Sequence, residues 1–176
     1  MLPDKKILYI LMSLQVLILS GMIASSWYPL YVGTEIRMKV YPLDPRDLLR
    51  GNYVRLSYDF SRLELDSIQN HLDSNKIYNF GEMVFVELAK EGDYYKTIAL
   101  WEKKPSNTEN IFLKTSIASY SHQYAIYLSA GLESYYTKSQ KALQIEKDIS
   151  SQEVYAVIKV APNGQARLLR VEPAKN

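Results

Sequence analysis

The stretch that decides the fold is PLDPRDLLRGNYVRLSY, residues 42–58. It contains Pro42 and Pro45, which fix φ and donate no backbone hydrogen bond, and Gly51, which accepts the positive φ of a tight reversal. The residues that follow alternate in polarity, with Val54, Leu56, Tyr58 and Phe60 apolar and Arg55, Ser57 and Asp59 polar. The stretch therefore predicts a charged turn that leads into a half-buried strand, Tyr53 to Phe60.

The rest of the chain carries further strand patterns, separated by turn signals. Strands are predicted at Glu35–Val40, Met83–Leu88, Tyr94–Trp101, Ile117–Leu128, Val154–Val160 and Arg167–Val171. Glu91-Gly92-Asp93 and Pro162-Asn163-Gly164 predict the turns of two hairpins, the second with the Asn-Gly pair that favours a tight reversal.

Two segments have helical patterns. Ser61 and Glu64 have the spacing of a capping box, and apolar residues at roughly helical intervals follow, so Arg62 to Leu72 is predicted to be a helix. Ser139 to Ile149 is predicted to be a second one. Strands and helices do not alternate along the chain, so a parallel sheet is not predicted. The fold class predicted is mainly β with a minor α+β component: an N-terminal transmembrane helix, then a mostly antiparallel β barrel or sandwich with one or two short helices.

The N-terminal segment predicts a membrane anchor. Residues 7–34 include no charged residue, and Ile7 to Trp27 has the roughly 20 residues that cross the hydrocarbon of a bilayer. Lys5 and Lys6 precede this span, so the positive-inside rule places the N-terminus in the cytoplasm. Pro29 and Gly33 are expected to end the helix. The predicted organisation is a cytoplasmic N-terminus and anchor in residues 1–28, a link in 29–34 and an exported β-rich domain in 35–176.

A cleaved signal peptide is the alternative interpretation of the same segment. Ala24-Ser25-Ser26 has the small residues of a cleavage site. The apolar run is longer than the 7 to 15 residues usual for a signal core, and Trp27, Tyr28 and Tyr31 form the aromatic belt of a retained span. These features favour the anchor.

Composition argues against several classes of function. The chain has 21 basic and 19 acidic residues and no basic cluster, so no nucleic-acid partner is predicted. There is no cysteine, and the two histidines, His71 and His122, lie far apart, so neither a metal site nor a cofactor is predicted. Fifteen tyrosines against four phenylalanines favour half-wet sheet faces or a binding surface.

Two motifs resemble one known family. Gly51, Tyr53, Leu56 and Tyr58 have the spacing of the signature of the GDYXXLXY family of membrane-anchored bacterial proteins, with Asn52 where the family has Asp. The segment GLESYYTKSQKALQIE, residues 131–146, resembles that family's later motif, Gly-Ile-Glu-Arg-Tyr-Phe with a downstream Glu. The resemblance implies a single-pass protein of the bacterial inner membrane with a periplasmic C-terminal domain. It implies a location and a topology rather than an activity.

The first candidate site is the charged cluster of the turn, which consists of Asp44, Arg46, Asp47 and Arg50. Its arginines are suited to binding a carboxylate or phosphate in a bidentate manner. Alternatively, the four residues close the turn through local ion pairs, each contributing about 0 to 1 kcal/mol at a surface. Asn52 beside them cannot ionise, which suits a hydrogen bond within the turn better than general-base catalysis.

The second candidate site lies in the later motif, where Glu133, Tyr135, Tyr136 and Glu146 combine carboxylates with paired aromatic rings. The alternative is an edge strand whose rings pack on the sheet. We expect both motifs to meet in space, with Glu133 or Glu146 paired to an arginine of the turn. A groove lined by Tyr53, Tyr135 or Tyr136 would make the pairing a recognition site. Tyr58, at the end of the first motif, is a further candidate binding residue.

Two classes of function remain after this reasoning. The first is a non-enzymatic binding or accessory module for an integral membrane protein or an envelope component. The second is an envelope hydrolase that uses carboxylates from the two motifs. Convergence of those carboxylates in one pocket, with a raised pKa, would favour the hydrolase.

Overall fold

The computed structural model describes residues 5–41, 53–106, 109–121 and 125–174. The chain begins with helix α1 (Lys5–Val32), and helix α2 (Ser139–Ser151) lies late in the chain. The strands are β1 (Thr34–Val40), β2 (Tyr53–Arg55), β3 (Arg62–Glu64), β4 (Gln69–His71), β5 (Met83–Glu91), β6 (Tyr94–Trp101), β7 (Ile111–Ser121), β8 (Ala125–Ser129), β9 (Ser134–Tyr136), β10 (Val154–Val160) and β11 (Ala166–Pro173).

Most of these strands form one curled sheet, a half-barrel. The nine-stranded sheet has the order β11-β10-β1-β6-β5-β7-β8-β3, and β4 pairs with β6. Neighbouring strands are antiparallel except that β1 and β4 each run parallel to β6. β2 and β9 form a separate two-stranded sheet. The prediction of a mainly β, mostly antiparallel fold after an N-terminal apolar helix is confirmed.

The core lies within the curl and follows the predicted alternation. In β1, Ile36, Met38 and Val40 are buried, while the charged residues between them face outward. The hairpin of β10 and β11, predicted from Asn163-Gly164, is confirmed. Gly164 has φ 85°, and its carbonyl accepts a hydrogen bond from the backbone N–H of Lys114 in β7 at 2.8 Å. A Cβ atom at Gly164 would lie 3.0 Å from that nitrogen, so this contact requires glycine.

The predicted helix from Arg62 to Leu72 is wrong. The segment contains β3, a turn and β4, and β3 pairs with β8. The Ser61 hydroxyl accepts a hydrogen bond from the Tyr58 N–H at 3.0 Å within a short 3₁₀ turn, Asp59–Ser61, and does not start an α-helix. The spacing of apolar residues over so short a run does not distinguish a helix from a strand. Residues 62–64 form a strand because they pair with the edge of β8.

Two strand predictions have wrong boundaries. The segment Ile117–Leu128 was predicted as one strand, but it belongs to two, because β7 and β8 pair as an antiparallel hairpin. The strand predicted from Tyr53 to Phe60 is shorter: β2 ends at Arg55, and the 3₁₀ turn follows. The burial pattern still matches the prediction, since Val54, Leu56, Tyr58 and Phe60 are all buried.

Helix α1 runs directly into the sheet. It is long and apolar enough to cross a membrane by length and composition. The prediction that Pro29 ends the helix is wrong, because α1 continues through Pro29 to Val32. Gly33 ends it, with its N–H bonded to the Pro29 carbonyl at 3.0 Å, and β1 begins at the next residue. Most of the segment predicted as a link is therefore helical.

Side chains of the last hairpin fasten α1 to the sheet. The Lys159 ammonium donates to the carbonyl of Leu30 at 2.7 Å, and Nε of Arg167 donates to the carbonyl of Ser26 at 3.0 Å. The Leu30 carbonyl lies in the last turn of the helix, where the unpaired carbonyls and the helix dipole favour basic side chains, and the Ser26 carbonyl lies about one turn earlier.

Replacement of Gly33 by alanine should disrupt this junction. The added Cβ would lie 2.3 Å from the carbonyl oxygen of Pro29 and 3.1 Å from the backbone of Val160. We expect Gly33→Ala to destabilise the detergent-solubilised chain by about 2 kcal/mol, which lowers its melting temperature by roughly 4 to 8 °C. Gly21→Ala in the same helix is the control, because a Cβ there has no neighbour within 4 Å. Equal melting temperatures for the two variants would contradict the close approach at Gly33.

Candidate functional site

The two sequence motifs meet in space. Strand β2 of the first motif pairs antiparallel with β9 of the second, with Tyr53 opposite Tyr136, Val54 opposite Tyr135 and Arg55 opposite Ser134. The N–H of Leu56 continues the pairing by donating to the carbonyl of Glu133 at 2.8 Å. The expected proximity of the motifs is confirmed for these residues. We call the pair β2 and β9 the motif sheet.

Tyr58 fixes the motif sheet from inside the core. Its hydroxyl donates to the carbonyl of Leu132 at 3.0 Å, and its ring stacks on Phe60 with 5.0 Å between centroids. Burial, together with the negative charge of Glu133, raises the pKa of Tyr58 well above its usual range, so the hydroxyl stays protonated and keeps donating. Tyr58 is therefore a core residue that joins the two motifs.

Glu133 also takes part in the local structure. One carboxylate oxygen accepts the N–H of Ala130 at 2.7 Å and closes the turn that leads into β9. Glu133 is half-buried, and this contact holds its side chain against its own segment. A carboxylate held by a local backbone N–H is a common way to stabilise a turn.

The two faces of the motif sheet differ. Val54 and Tyr135 are cross-strand neighbours on the inner face, and Tyr135 packs against the core cluster. Tyr136 is on the outer face with 76% of its surface exposed, and Arg55 is also exposed. The outer face thus presents an aromatic ring and a guanidinium group, residue types that are enriched in protein interfaces.

Several predicted site residues fall outside the part of the chain that the structure describes. They are Asp44, Arg46, Asp47, Arg50 and Asn52, together with the side chains of Tyr53 and Glu146. The ion pair expected between the turn and Glu133 or Glu146 stays a prediction.

The second motif begins at a cleft beside α1. A cleft of about 920 Å³ separates the helix from the sheet. Ile18 and Met22 line it on the helix side, and Ser129, Ala130 and Gly131 line it on the domain side. Gly131 begins the second motif and is three residues from β9, so at most about 11 Å of chain separates this cleft from the motif sheet.

Comparison with known proteins agrees with this geometry. The family model described as GDYXXLXY protein matches residues 15–171, which include both motifs and most of α1. The chain belongs to the GDYXXLXY family. No curated protein and no solved structure matches it.

The sequence reasoning missed Asp59, which directly follows the signature of this GDYXXLXY protein. One carboxylate oxygen accepts the N–H of Phe60 at 2.8 Å, and the other accepts the N–H of Thr97 in β6 at 2.6 Å. Asp59 therefore ties the first motif to the large sheet. The alternation assigns Asp59 to the polar face, and no local pattern indicates that the N–H of a distant strand lies within hydrogen-bonding distance of it.

Among the described residues of the GDYXXLXY protein, no group of three or more His, Asp or Glu side chains is placed to hold a metal ion. His71 stacks on Trp101, with 3.7 Å between ring centroids, and so belongs to an aromatic contact. His122 lies outside the described residues.

Removal of the Asp59 carboxylate should destabilise the fold. Asp59→Ala leaves the N–H groups of Phe60 and Thr97 without their acceptor, and two such losses amount to about 2 to 4 kcal/mol. Asp93→Ala is the control, because Asp93 is exposed in a hairpin turn. Denaturant titration measures the free energy of unfolding of both variants. An Asp59→Ala variant as stable as Asp93→Ala would show that these hydrogen bonds contribute little.

The stability should also depend on pH through Asp59. Burial raises its pKa above the ordinary value of 3.8, against the opposing effect of its hydrogen bonds to Thr97 and Phe60. A carboxyl group with a raised folded pKa stabilises the fold fully below its unfolded pKa, and this contribution is lost as the pH rises through the folded pKa. Relative to Asp59→Asn, the wild type should lose stability as the pH rises above about 4. If the difference in unfolding free energy between the wild type and Asp59→Asn were constant with pH, the raised pKa of Asp59 would be refuted.

Proposed function

We propose that this GDYXXLXY protein is a single-pass, membrane-anchored binding module that recognises an integral membrane protein through its motif sheet. In this proposal α1 lies in the bacterial inner membrane and the β domain is periplasmic. The observation that carries the proposal is the position of the second motif, which begins at Gly131 in the cleft beside α1 and, five residues later, exposes Tyr136. A partner that reaches this face must be close to the membrane.

The attachment between helix and domain supports a role close to the membrane. α1 continues to Val32, and Gly33 alone separates it from β1. Lys159 and Arg167 hold the last turns of the helix against the sheet. A flexible tether would let the domain sample a wide volume, whereas a rigid junction keeps one face of the domain at a fixed height and angle.

The described polar groups of the motifs favour binding over hydrolysis. The Tyr58 hydroxyl is bonded to Leu132, and Glu133 is bonded to Ala130. Asp59, whose pKa is raised by burial, accepts two backbone N–H groups and does not line the cleft beside α1. Among the described residues, the hydrolase hypothesis therefore gains no observation in its favour; Asp44 and Asp47, on which it also depends, lie outside them. The outer face of the motif sheet suits contact with a protein.

The topology is tested with fusions to the C-terminus. Lys5 and Lys6 precede the apolar span, and no charge follows until Glu35, so the β domain should be exported. A C-terminal alkaline phosphatase fusion should be active, and the full-length protein should stay in the membrane fraction after a high-salt wash. A β-lactamase fusion at the same point checks the result independently. Inactive fusions, or a soluble domain that starts near Trp27, would contradict the anchored topology.

The partner is tested by photo-crosslinking in intact cells. A benzophenone amino acid at position 136 should give a discrete adduct with a membrane protein, because Tyr136 is on the outer face of the motif sheet. The control is position 127, where an exposed tyrosine lies on β8, outside the motif sheet. Tyr136→Ala should abolish co-purification of the same protein without lowering the melting temperature. Equal adducts at both positions, or none at position 136, would count against the proposal.

A further inference from the structure

A group of apolar side chains outside α1 faces solvent. Ile77, Phe80 and Met83 expose 69%, 86% and 54% of their surface. They lie within seven residues of one another, in the loop before β5 and at its first residue. We call them the Phe80 surface. Single exposed apolar residues are ordinary, but three large ones on one short segment are typical of a contact surface.

The Phe80 surface is fixed by its own loop. Tyr78, between Ile77 and Phe80, is buried, and its hydroxyl accepts the N–H of Asp73 at 2.9 Å. Its ring meets Tyr120 edge-on, with 5.5 Å between centroids. After Phe80, the N–H of Gly81 donates to the carbonyl of Ile117 in β7 at 2.8 Å. The loop is therefore anchored on both sides of Phe80, and these contacts direct the apolar side chains outward.

The charged groups beside this surface are paired with one another. The Lys76 ammonium lies 3.1 Å from Glu82 and 2.9 Å from Glu102. Glu82 also accepts hydrogen bonds from the backbone and side chain of Asn79. Paired charges do not draw the loop toward anionic headgroups, so contact with a membrane here depends on the apolar side chains.

The position of Met83 relates the Phe80 surface to the membrane. Met83 lines the same cleft as Ile18 and Met22 of α1. The part of α1 before this cleft, Lys5 to Leu17, measures only about 20 Å at 1.5 Å per residue. The hydrocarbon core of a bilayer is about 30 Å thick. A membrane that covers the apolar span therefore extends past Ile18, one of the helix residues that line this cleft with Met83.

We propose that the Phe80 surface is inserted into the leaflet on the domain side, so that the β domain rests on the bilayer beside its own helix. The proposal commits to lipid as the occupant because Met83, three residues after Phe80, lines the same cleft as Ile18 and Met22 of the apolar helix α1. It rests on the proposed anchoring of α1. The insertion gives the domain a second membrane contact and fixes the motif sheet relative to the bilayer.

The natural chain has no cysteine, which makes the test direct. The full-length protein is labelled with an environment-sensitive fluorophore at one introduced cysteine and reconstituted in lipid nanodiscs. Phe80→Cys and Ile77→Cys report on the proposed surface, and Leu17→Cys reports on the anchor. Asp93→Cys is the matched control, because it lies in the turn after β5, whereas Met83 is the first residue of that strand. Two sets of lipids quench labels in the membrane, one with the nitroxide near the headgroup end of the acyl chain for positions 77 and 80 and one with it near the chain terminus for position 17, and iodide quenches labels in water.

Labels at positions 77, 80 and 17 should lose fluorescence to the nitroxide lipids and be protected from iodide, while the label at position 93 should behave in the opposite way. Quenching by lipid at position 17, with iodide access at both 77 and 80, would overturn the insertion and leave the anchor intact. Iodide access at position 17 would overturn the anchor itself. If a partner protein covers the Phe80 surface instead, positions 77 and 80 of the purified protein are open to iodide, which also refutes the proposal.

Discussion

The β domain depends on a pairing between two segments far apart in the chain. The hydroxyl of Tyr58 reaches the carbonyl of Leu132, 74 residues away, and Leu56 bonds to Glu133 beside it. Closing a loop of this length has an entropic cost that local structure cannot offset. The compensation is burial, because the same contact places Val54, Leu56, Tyr58 and Phe60 in the core. A buried tyrosine hydroxyl also needs a partner, so the pairing has a defined register as well as a driving force.

The sequence predicted those features that short-range patterns determine. Alternation identified the buried faces of β1 and of the first motif, and Asn163-Gly164 identified the last hairpin. The predictions were wrong where contact with a distant segment determines the local structure. Arg62 to Glu64 is a strand because β8 offers its edge, and Pro29 stays within a helix whose end packs on the sheet. Neither partner is visible in the local sequence.

The same limit applies to the candidate site. Two motifs with a defined spacing indicated that residues near 53 and near 135 belong together, and the motif sheet has this arrangement. Asp59 was missed because its acceptor role depends on the N–H of Thr97, 38 residues later. The Phe80 surface was missed for a different reason. Its apolar residues are isolated in a polar loop and have no period, so only their common exposure and the proximity of Met83 to α1 identify them.

The second motif connects the cleft beside α1 with the outer face of the motif sheet. Gly131 lines the cleft beside α1, Leu132 accepts the Tyr58 hydroxyl, and Glu133 closes its own turn. Tyr135 then enters the core, and Tyr136 faces outward. Within six residues, successive positions thus face the cleft beside α1, the core and the exterior. An insertion of one residue would reverse the faces of β9 and separate Tyr136 from the outer surface. The arrangement of faces in such a segment therefore depends on the spacing of its residues more than on its composition. Spacing is also the property by which the sequence motif is recognised.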